Sequence, residues 1–334
     1  MRTDEARTFL TAFANPVAKG LVHKMLVNNY TEAILTHHPQ ATGLQPATVA
    51  RQCADLVHAV YHQVAAVQHQ PERLFPLFAT LSRKHSPQHP MWFAAFDAAY
   101  QHYKHHKKLH QRLAQLKPLF TGSSYCDVGC GGGDLAAFLQ QQYPPFTTCA
   151  GIDVLDWRTD AIKDAIDFQM LDFSQPGTAS QYQYSTLTCI AVLHHVGNTN
   201  PQRGVFLQNM ATAMAPGARL IVEEDVILPQ AQIAANPAYA RQAAALSQAQ
   251  PLFAEFLTLN EADQRDAIVI IDYLANALSV GVPEMAFPCG FKTIDGWRDL
   301  FVANGFVVHN VQIQGFTKGN FNRSAHVLFV LGRA

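Results

Sequence analysis

The sequence predicts an α/β protein: a mainly parallel seven-stranded sheet, preceded by an all-helical region and interrupted between the fifth and sixth strands by a helical insertion. Three observations carry that prediction. Up to about residue 117, apolar residues recur at three- and four-residue steps, the spacing of one helix face. From about residue 123, short, near-continuous apolar runs alternate with helical stretches, as expected of parallel strands buried on both faces. From about 228 to 287 the alternation stops, and Ala- and Gln-rich helices replace it.

The elements follow in order. In PATVARQCADLVHAVYHQVAAVQ, residues Val49, Cys53, Leu56, Val57, Val60, Tyr61 and Val64 share one helical face. Pro71 and Pro76 are expected to interrupt the helical pattern, and a second helix is expected from about Met91 to Leu116, ended by Pro118. The β-rich runs SSYCDVG, TTCAGIDV, DFQMLDF, LTCIAVLHH and ARLIVEEDV come next, with helix candidates DLAAFLQQQY and PQRGVFLQNMATAMAP between them. The insertion includes DAIVIIDYLANAL. After it, TIDGWRDLFVANGFVVHNVQI reads as a helix, a turn at Asn304-Gly305 and a strand, and SAHVLFVLGR as the last strand. The expected domains are a helical region, 1–117, serving as a lid or a dimerisation surface, and the sheet-bearing domain, 118–334, carrying the insertion at about 228–287.

Composition narrows the function classes. A formal net charge of -1 and only 15% charged residues argue against a nucleic-acid binder, which shows a basic excess. No apolar run is long enough to span a bilayer. The first residues, MRTDEARTFL, lack the basic-then-apolar pattern of a signal peptide. Six cysteines lie scattered without a C-x-x-C pair, as expected of free thiols in a reducing cytoplasm.

The stretch YCDVGCGGGDL, Tyr125 to Leu135, carries the chemistry. Gly129, Gly131, Gly132 and Gly133 form a strand-to-helix loop around Cys130, where a ligand can approach the main chain. A dinucleotide fingerprint would need glycine at position 134, which is Asp134, and the lysine of a phosphate-cradling loop is absent. Asp127, one residue before the turn region, would repel a pyrophosphate. The ligand is therefore expected to lack phosphates there and to carry an ammonium group that Asp127 helps to hold.

DVGCGGG resembles the first motif of class I S-adenosylmethionine-dependent methyltransferases, whose fold is Rossmann-like. The resemblance implies that the loop residues Gly129, Cys130, Gly131 and Gly133 hold the methionine part of S-adenosylmethionine and that Asp127 orients its amino-acid end. It extends to Asp153, in AGIDV, placed to accept from a ribose diol, and to Asp172, in QMLDF, whose counterpart meets the adenine amino group. Val154, Phe173 and Val192 complete the cofactor set that the resemblance implies. IAVLHHV, PGARLIVEED and TIDGWRDLFVANGFVV resemble the family's later strand motifs, so the likeness covers about 105–225 and 288–334. Ser185 stands where the fourth strand usually opens on aspartate.

Methyl transfer to an alcohol or phenol needs a base, and histidine is suited to neutral pH. His194 and His195 end the fourth strand, where open α/β sheets bind ligands. One is a candidate base; alternatively, the pair shapes the loop and touches the cofactor. Glu223, Glu224 and Asp225 end the fifth strand. Alternation sets Glu224 on the face opposite the other two, and Glu224 is a candidate substrate ligand. The fourth strand lacks the box of adenine-amino methyltransferases. Thr188-Cys189 and Pro288-Cys289 read as structural thiols. His102, His106 and His110 fall on one helical stripe, but Lys104, Lys107 and Lys108 beside them would repel a cation, so no metal is expected.

The expected activity is methylation of an oxygen or nitrogen on a small molecule, in the cytoplasm, with nucleic acid and membrane not expected as partners and a homodimer one use of the helical parts. The alternatives are an RNA or protein methyltransferase and a non-catalytic cofactor-binding scaffold.

Overall fold

A computed structural model describes residues 2–37, 43–81, 102–280, 287, 289–316 and 324–334. The chain forms two compact units, one of residues 1–108, 227–291 and 314–325, the other of 109–226, 292–313 and 326–334. Segment 227–291 thus clusters with the first 108 residues. The division read from the sequence placed it with the sheet.

The first unit is helical. Its elements are α1 (Arg2–Phe13), α2 (Pro16–His37), α3 (Pro46–Ala66) and α4 (Leu74–Leu81), joined by four helices of the later segment. On α3 the expected face is buried at Val49, Cys53, Leu56, Val57, Val60 and Val64, and the Tyr61 hydroxyl donates to the Lys19 carbonyl. Pro76 does not interrupt a helix. It lies in the first turn of α4, where a missing N–H costs nothing. The expected helix from Met91 lies outside the described residues as far as 101; its remainder is a π-helical turn, Lys104–Lys108, and then α5 (Leu109–Leu116), followed by a 3-10 turn at Pro118.

The second unit holds the sheet. Its strands are β1 (Ser124–Val128), β2 (Thr148–Asp153), β3 (Asp167–Met170), β4 (Tyr184–Ile190), β5 (Met214–Ile227), β6 (Lys292–Thr293), β7 (Phe306–Gly315) and β8 (His326–Arg333). Interleaved with the strands are helices α6 (Asp134–Gln142), α7 (Asp160–Lys163) and α8 (Asn200–Thr212). The helices α9 (Gln230–Ala235), α10 (Pro237–Ala249), α11 (Pro251–Thr258) and α12 (Glu261–Val280) belong to the first unit, and α13 (Ile294–Ala303) precedes β7.

The strand order is β3-β2-β1-β4-β5-β8-β7, a path of the seven expected strands, with the two-residue β6 added against β5 to make eight. A two-residue strand has no periodicity to reveal it. Pairs β1–β2, β1–β4, β2–β3 and β4–β5 are parallel and β5–β8 is antiparallel. The order reverses direction at β1 and β4, whose carboxyl ends lie side by side. A crevice opens there by construction. Tyr125, Phe146, Ala136 and Leu139 form the core between α6 and the sheet.

In the first unit, Phe9 packs against Phe13, Phe78 and Tyr273, so α1, α4 and α12 share one aromatic core. Phe253 and Phe256 of α11 carry the aromatic packing of the later segment. Both are buried against Phe316 and hold this unit together.

Candidate functional site

The site is built at the carboxyl ends of β1, β2 and β4. β1 runs into the glycine loop, and Gly133, at φ 74°, caps α6. The N–H groups of Gly129 and Cys130 donate to the Ile152 carbonyl at 2.7 and 3.2 Å, which fastens the loop to β2. Gly129 has φ 73°, and a Cβ there would lie 2.4 Å from Val192 Cγ2. Only glycine satisfies both the backbone and that contact. Val192 is thereby placed over the loop.

Asp153 ends β2. Its Oδ2 accepts from Gly131 N at 2.8 Å and its Oδ1 from Leu155 N at 3.3 Å. Burial pushes this carboxyl up, while the N–H donors of Gly131, Leu155 and Val154 and the Trp157 side chain pull it down; the net direction is up. Val154 is 48% exposed beside it.

Asp127 is only 6% exposed. Register sets it beside Thr188 on β4, whose hydroxyl donates to Asp127 Oδ1 at 2.6 Å. Burial raises this carboxyl to about 6; the Thr188 hydrogen bond and the Arg112 charge oppose the rise, and Asp153 adds to it. Arg112, on α5, pairs with Glu223, one of its two contacts being Nη2 to Oε1 at 2.9 Å.

Asp172 departs from the reading of the sequence. β3 ends at Met170, and Asp172 lies two residues beyond it. Its Oδ1 accepts from Ser174 N and Oγ at 2.9 and 2.5 Å and its Oδ2 from Gln175 Nε2 at 3.0 Å. Burial pushes its carboxyl up, but the Ser174 and Gln175 bonds outweigh that and hold it low. The carboxylate shapes its own turn. The Phe173 ring is buried 5.9 Å from that of Phe206.

The three acidic residues of β5 alternate as expected, and each has its own partner. Glu223 holds Arg112, and Asp225 Oδ1 lies 2.8 Å from His326 Nε2. Glu224, fully buried, accepts at Oε1 from Val192 N and Leu193 N at 3.0 and 2.7 Å, and its Oε2 lies 2.6 Å from His194 Nδ1. Glu224 thus grips the loop after β4 from beneath. The preceding residue, Ala191, sits at φ 56°, a strained value for a side chain. The His194 and His195 rings lie 4.1 Å apart.

Ser185 is the second residue of β4, and its Oγ donates to Ser124 O at 2.8 Å and accepts from Ser124 N at 3.0 Å. A hydroxyl there pins the start of β1. Cys189 is buried within β4; Cys289 is half-buried, and its neighbour Pro288 lies outside the described residues. The His102 and His106 rings lie 4.4 Å apart, tilted by 38°, and His110 packs edge-on against Phe138 at 4.8 Å. The π-helical turn breaks the four-residue stripe that the sequence suggested.

Sequence reasoning missed Arg112, Tyr125, Thr188 and Trp157. Tyr125 and Thr188 read as ordinary strand residues, and Arg112 is 111 positions from Glu223. A separate surface cleft of about 640 Å³ lies between α8 and α13, lined among others by Asn200, Gln208, Lys292 and Asp299.

A protein family described as a methyltransferase domain matches residues 100–275, more than half of the chain. No curated protein sequence matches it significantly. Among solved structures, the chain is similar to magnesium protoporphyrin IX methyltransferase from Synechocystis PCC 6803 with bound SAH, at 16% identity over 72% of this chain and 88% of that one, TM-score 0.39. It is similar to the mitomycin 7-O-methyltransferase MmcR at 14% identity over 90% and 74%, TM-score 0.44. It is also similar to N,N-8-amino-8-demethyl-D-riboflavin dimethyltransferase from Streptomyces davawensis at 16% identity over 91% and 76%, TM-score 0.45. The chain belongs to the methyltransferase-domain family.

Proposed function

We propose that this enzyme methylates an oxygen or nitrogen of a small molecule and that the cofactor lies along the ends of β1, β2 and β4. The observation that carries the placement is the pair of carboxylates, Asp127 buried at the end of β1 and Asp153 bonded to Gly131 N, on either side of one glycine loop. The fit is chemical. Among the described residues Asp127 has no ion-pair partner, and a buried carboxylate in that setting gains most from a cation such as the cofactor's ammonium. Asp153 has two oxygens to offer a diol.

When bound, S-adenosylmethionine supplies a methyl group on a sulfonium, open to in-line displacement. The chain supplies the rest. Asp127 takes the ammonium, Gly129, Cys130, Gly131 and Gly133 leave room for the amino-acid end, and Asp153 takes the ribose hydroxyls. Val154 and Val192 offer apolar contact. Asp172 and Phe173 take part through their turn.

Glu224 and His194 support two roles. By tying Val192, Leu193 and His194 together, Glu224 shapes the loop that closes the site. A carboxylate only accepts, so His194 Nδ1 carries the hydrogen and Nε2 is the nitrogen that takes up a proton. We favour loop shaping. For a hydroxyl substrate the base reading predicts that His194→Asn lowers kcat about 100-fold with cofactor affinity intact. Loss of affinity with kcat preserved supports loop shaping.

Substrate choice is assigned to the helical unit, as a lid over the substrate, with a homodimer interface as the alternative. No described helix is long and apolar enough to cross a membrane. A formal charge of -1 favours a small molecule over RNA.

Calorimetry with S-adenosylmethionine tests the placement. If Asp127 must be ionised to hold the ammonium and titrates at about 6, affinity holds above neutrality and weakens about tenfold at pH 5. No binding at any pH would remove the reading. Binding that is level from pH 5 to 8 would exclude Asp127 as the ammonium ligand.

A further inference from the structure

The mechanism leaves one buried polar chain unexplained. Tyr125 and Asp127 are two residues apart on β1, so they project from the same face. Parallel register places Asp127 beside Thr188 of β4. The Tyr125 hydroxyl lies 2.6 Å from Thr188 Oγ1, and Thr188 Oγ1 lies 2.6 Å from Asp127 Oδ1. Tyr125 and Thr188 have no exposed surface.

The hydrogens in this chain can run only one way when Asp127 is ionised. A carboxylate accepts and does not donate, so the Thr188 hydrogen points at Asp127. Thr188 Oγ1 then has a lone pair facing Tyr125, and the phenol donates to it. Burial and the Asp127 charge push the Tyr125 hydroxyl well up, so it keeps its proton to donate. Two donors in series polarise each other and strengthen the terminal bond.

We propose that Thr188 and Tyr125 are positioning residues for the cofactor: in series they fix the Asp127 carboxylate in one rotamer and keep it charged, ready for the cofactor's ammonium. The proposal rests on the assignment of Asp127 to that ammonium. It has a reason in cost. An ionised carboxylate in this setting is opposed by burial, and without a donor it would take up a proton and lose its hold on a cation. Thr188 supplies that donor without a competing positive charge at the site. The other groups facing Asp127 are known. Arg112 of α5 favours the charge while bonded to Glu223, Asp153 of β2 opposes it, and the thiols nearby are those of Cys126 and Cys189, buried, and of Cys130, half-buried.

The test separates charge-holding from mere packing. Thr188→Val keeps the shape and removes the hydroxyl; Thr188→Ser restores it; Tyr125→Phe removes only the second donor. Carbon-13 NMR of labelled aspartate reads the Asp127 titration in the cofactor-free protein, and calorimetry reads S-adenosylmethionine affinity from pH 5 to 9. The expected result is an Asp127 midpoint raised by about one unit in Thr188→Val and by about half a unit in Tyr125→Phe. Affinity in Thr188→Val is expected to fall about fivefold near pH 6 and to return to within about threefold of wild type at pH 9. Thr188→Ser is expected to track the wild type. Affinity lost equally at every pH, or an unmoved Asp127 midpoint, overturns the proposal. Asp127→Asn is the control for the underlying assignment: if it binds the cofactor as the wild type does, the ammonium contact falls. In that case the NMR midpoints still decide whether the hydroxyls hold the charge.

Discussion

Asp153→Ala is expected to weaken S-adenosylmethionine binding about 100-fold. The argument begins with what one carboxylate does. Its Oδ2 accepts from Gly131 N and its Oδ1 from Leu155 N, so it stiffens the glycine loop and the turn after β2 together. Both oxygens keep lone pairs to share with a ribose diol. Hydrogen bonds to a charged acceptor contribute about 1.5–3 kcal/mol each, and leaving two hydroxyls unmatched costs about 3 kcal/mol, which is two decades in Kd. Asp153→Asn keeps one acceptor and should fall between the two. Calorimetry at neutral pH measures both, and circular dichroism checks that the fold is intact. A change of less than threefold in the alanine variant would place the ribose elsewhere.

The largest stability effect is expected at Arg112. Its guanidinium is 12% exposed, and its Glu223 partner 3%. Burial alone would push the Glu223 carboxyl up, but the Arg112 charge and hydrogen bonds outweigh it and the net direction is down. Arg112→Leu strands a buried carboxylate, a change that costs about 3–5 kcal/mol. Arg112→Leu combined with Glu223→Leu should recover most of that loss, because no charge is left without a partner. The pH dependence has a definite sign. A carboxyl held below its unfolded value stabilises the fold above that value and loses the contribution as pH falls through the folded one. The wild type therefore loses the Glu223 contribution in acid, and the double variant has none to lose. His326 runs the other way. Burial pushes it down, but Asp225 outweighs this and raises it, so its contribution is present below the unfolded value and fades as pH rises through the folded one. Urea melts of the three proteins from pH 3 to 9 measure all of this. A double variant no more stable than Arg112→Leu would sink the argument.

The parts of the protein legible in advance were those encoded locally. The run SYCDV followed by glycines announces β1, its turn and α6, because hydrophobic burial and positive φ are properties of consecutive residues. Asp153 was found because it ends its strand. Asp172 was misplaced by two residues: the strand stops at Met170, and Ser174 and Gln175 draw the carboxylate into a turn. Strand periodicity carries no signal for that competition. Arg112–Glu223 and Tyr125–Thr188–Asp127 were not legible for a different reason. They depend on register between strands and on a helix more than a hundred residues from its partner, which no short window contains. Phe253 and Phe256 show the same limit in reverse, since apolar spacing marks a buried face without naming what buries it.

The three carboxylates of β5 also bear on how this sheet finds its alignment. β5 pairs with β4 on one side and β8 on the other, through backbone bonds that are indifferent to side chains. A slip of one position would turn Glu224 toward the Arg112 side and send its neighbours to the opposite face, away from their partners. Each displaced carboxylate would be buried without its counter-group. Glu223, Glu224 and Asp225 therefore act as the wards of a lock: a misaligned pairing is penalised at three successive positions, and one alignment fits all three.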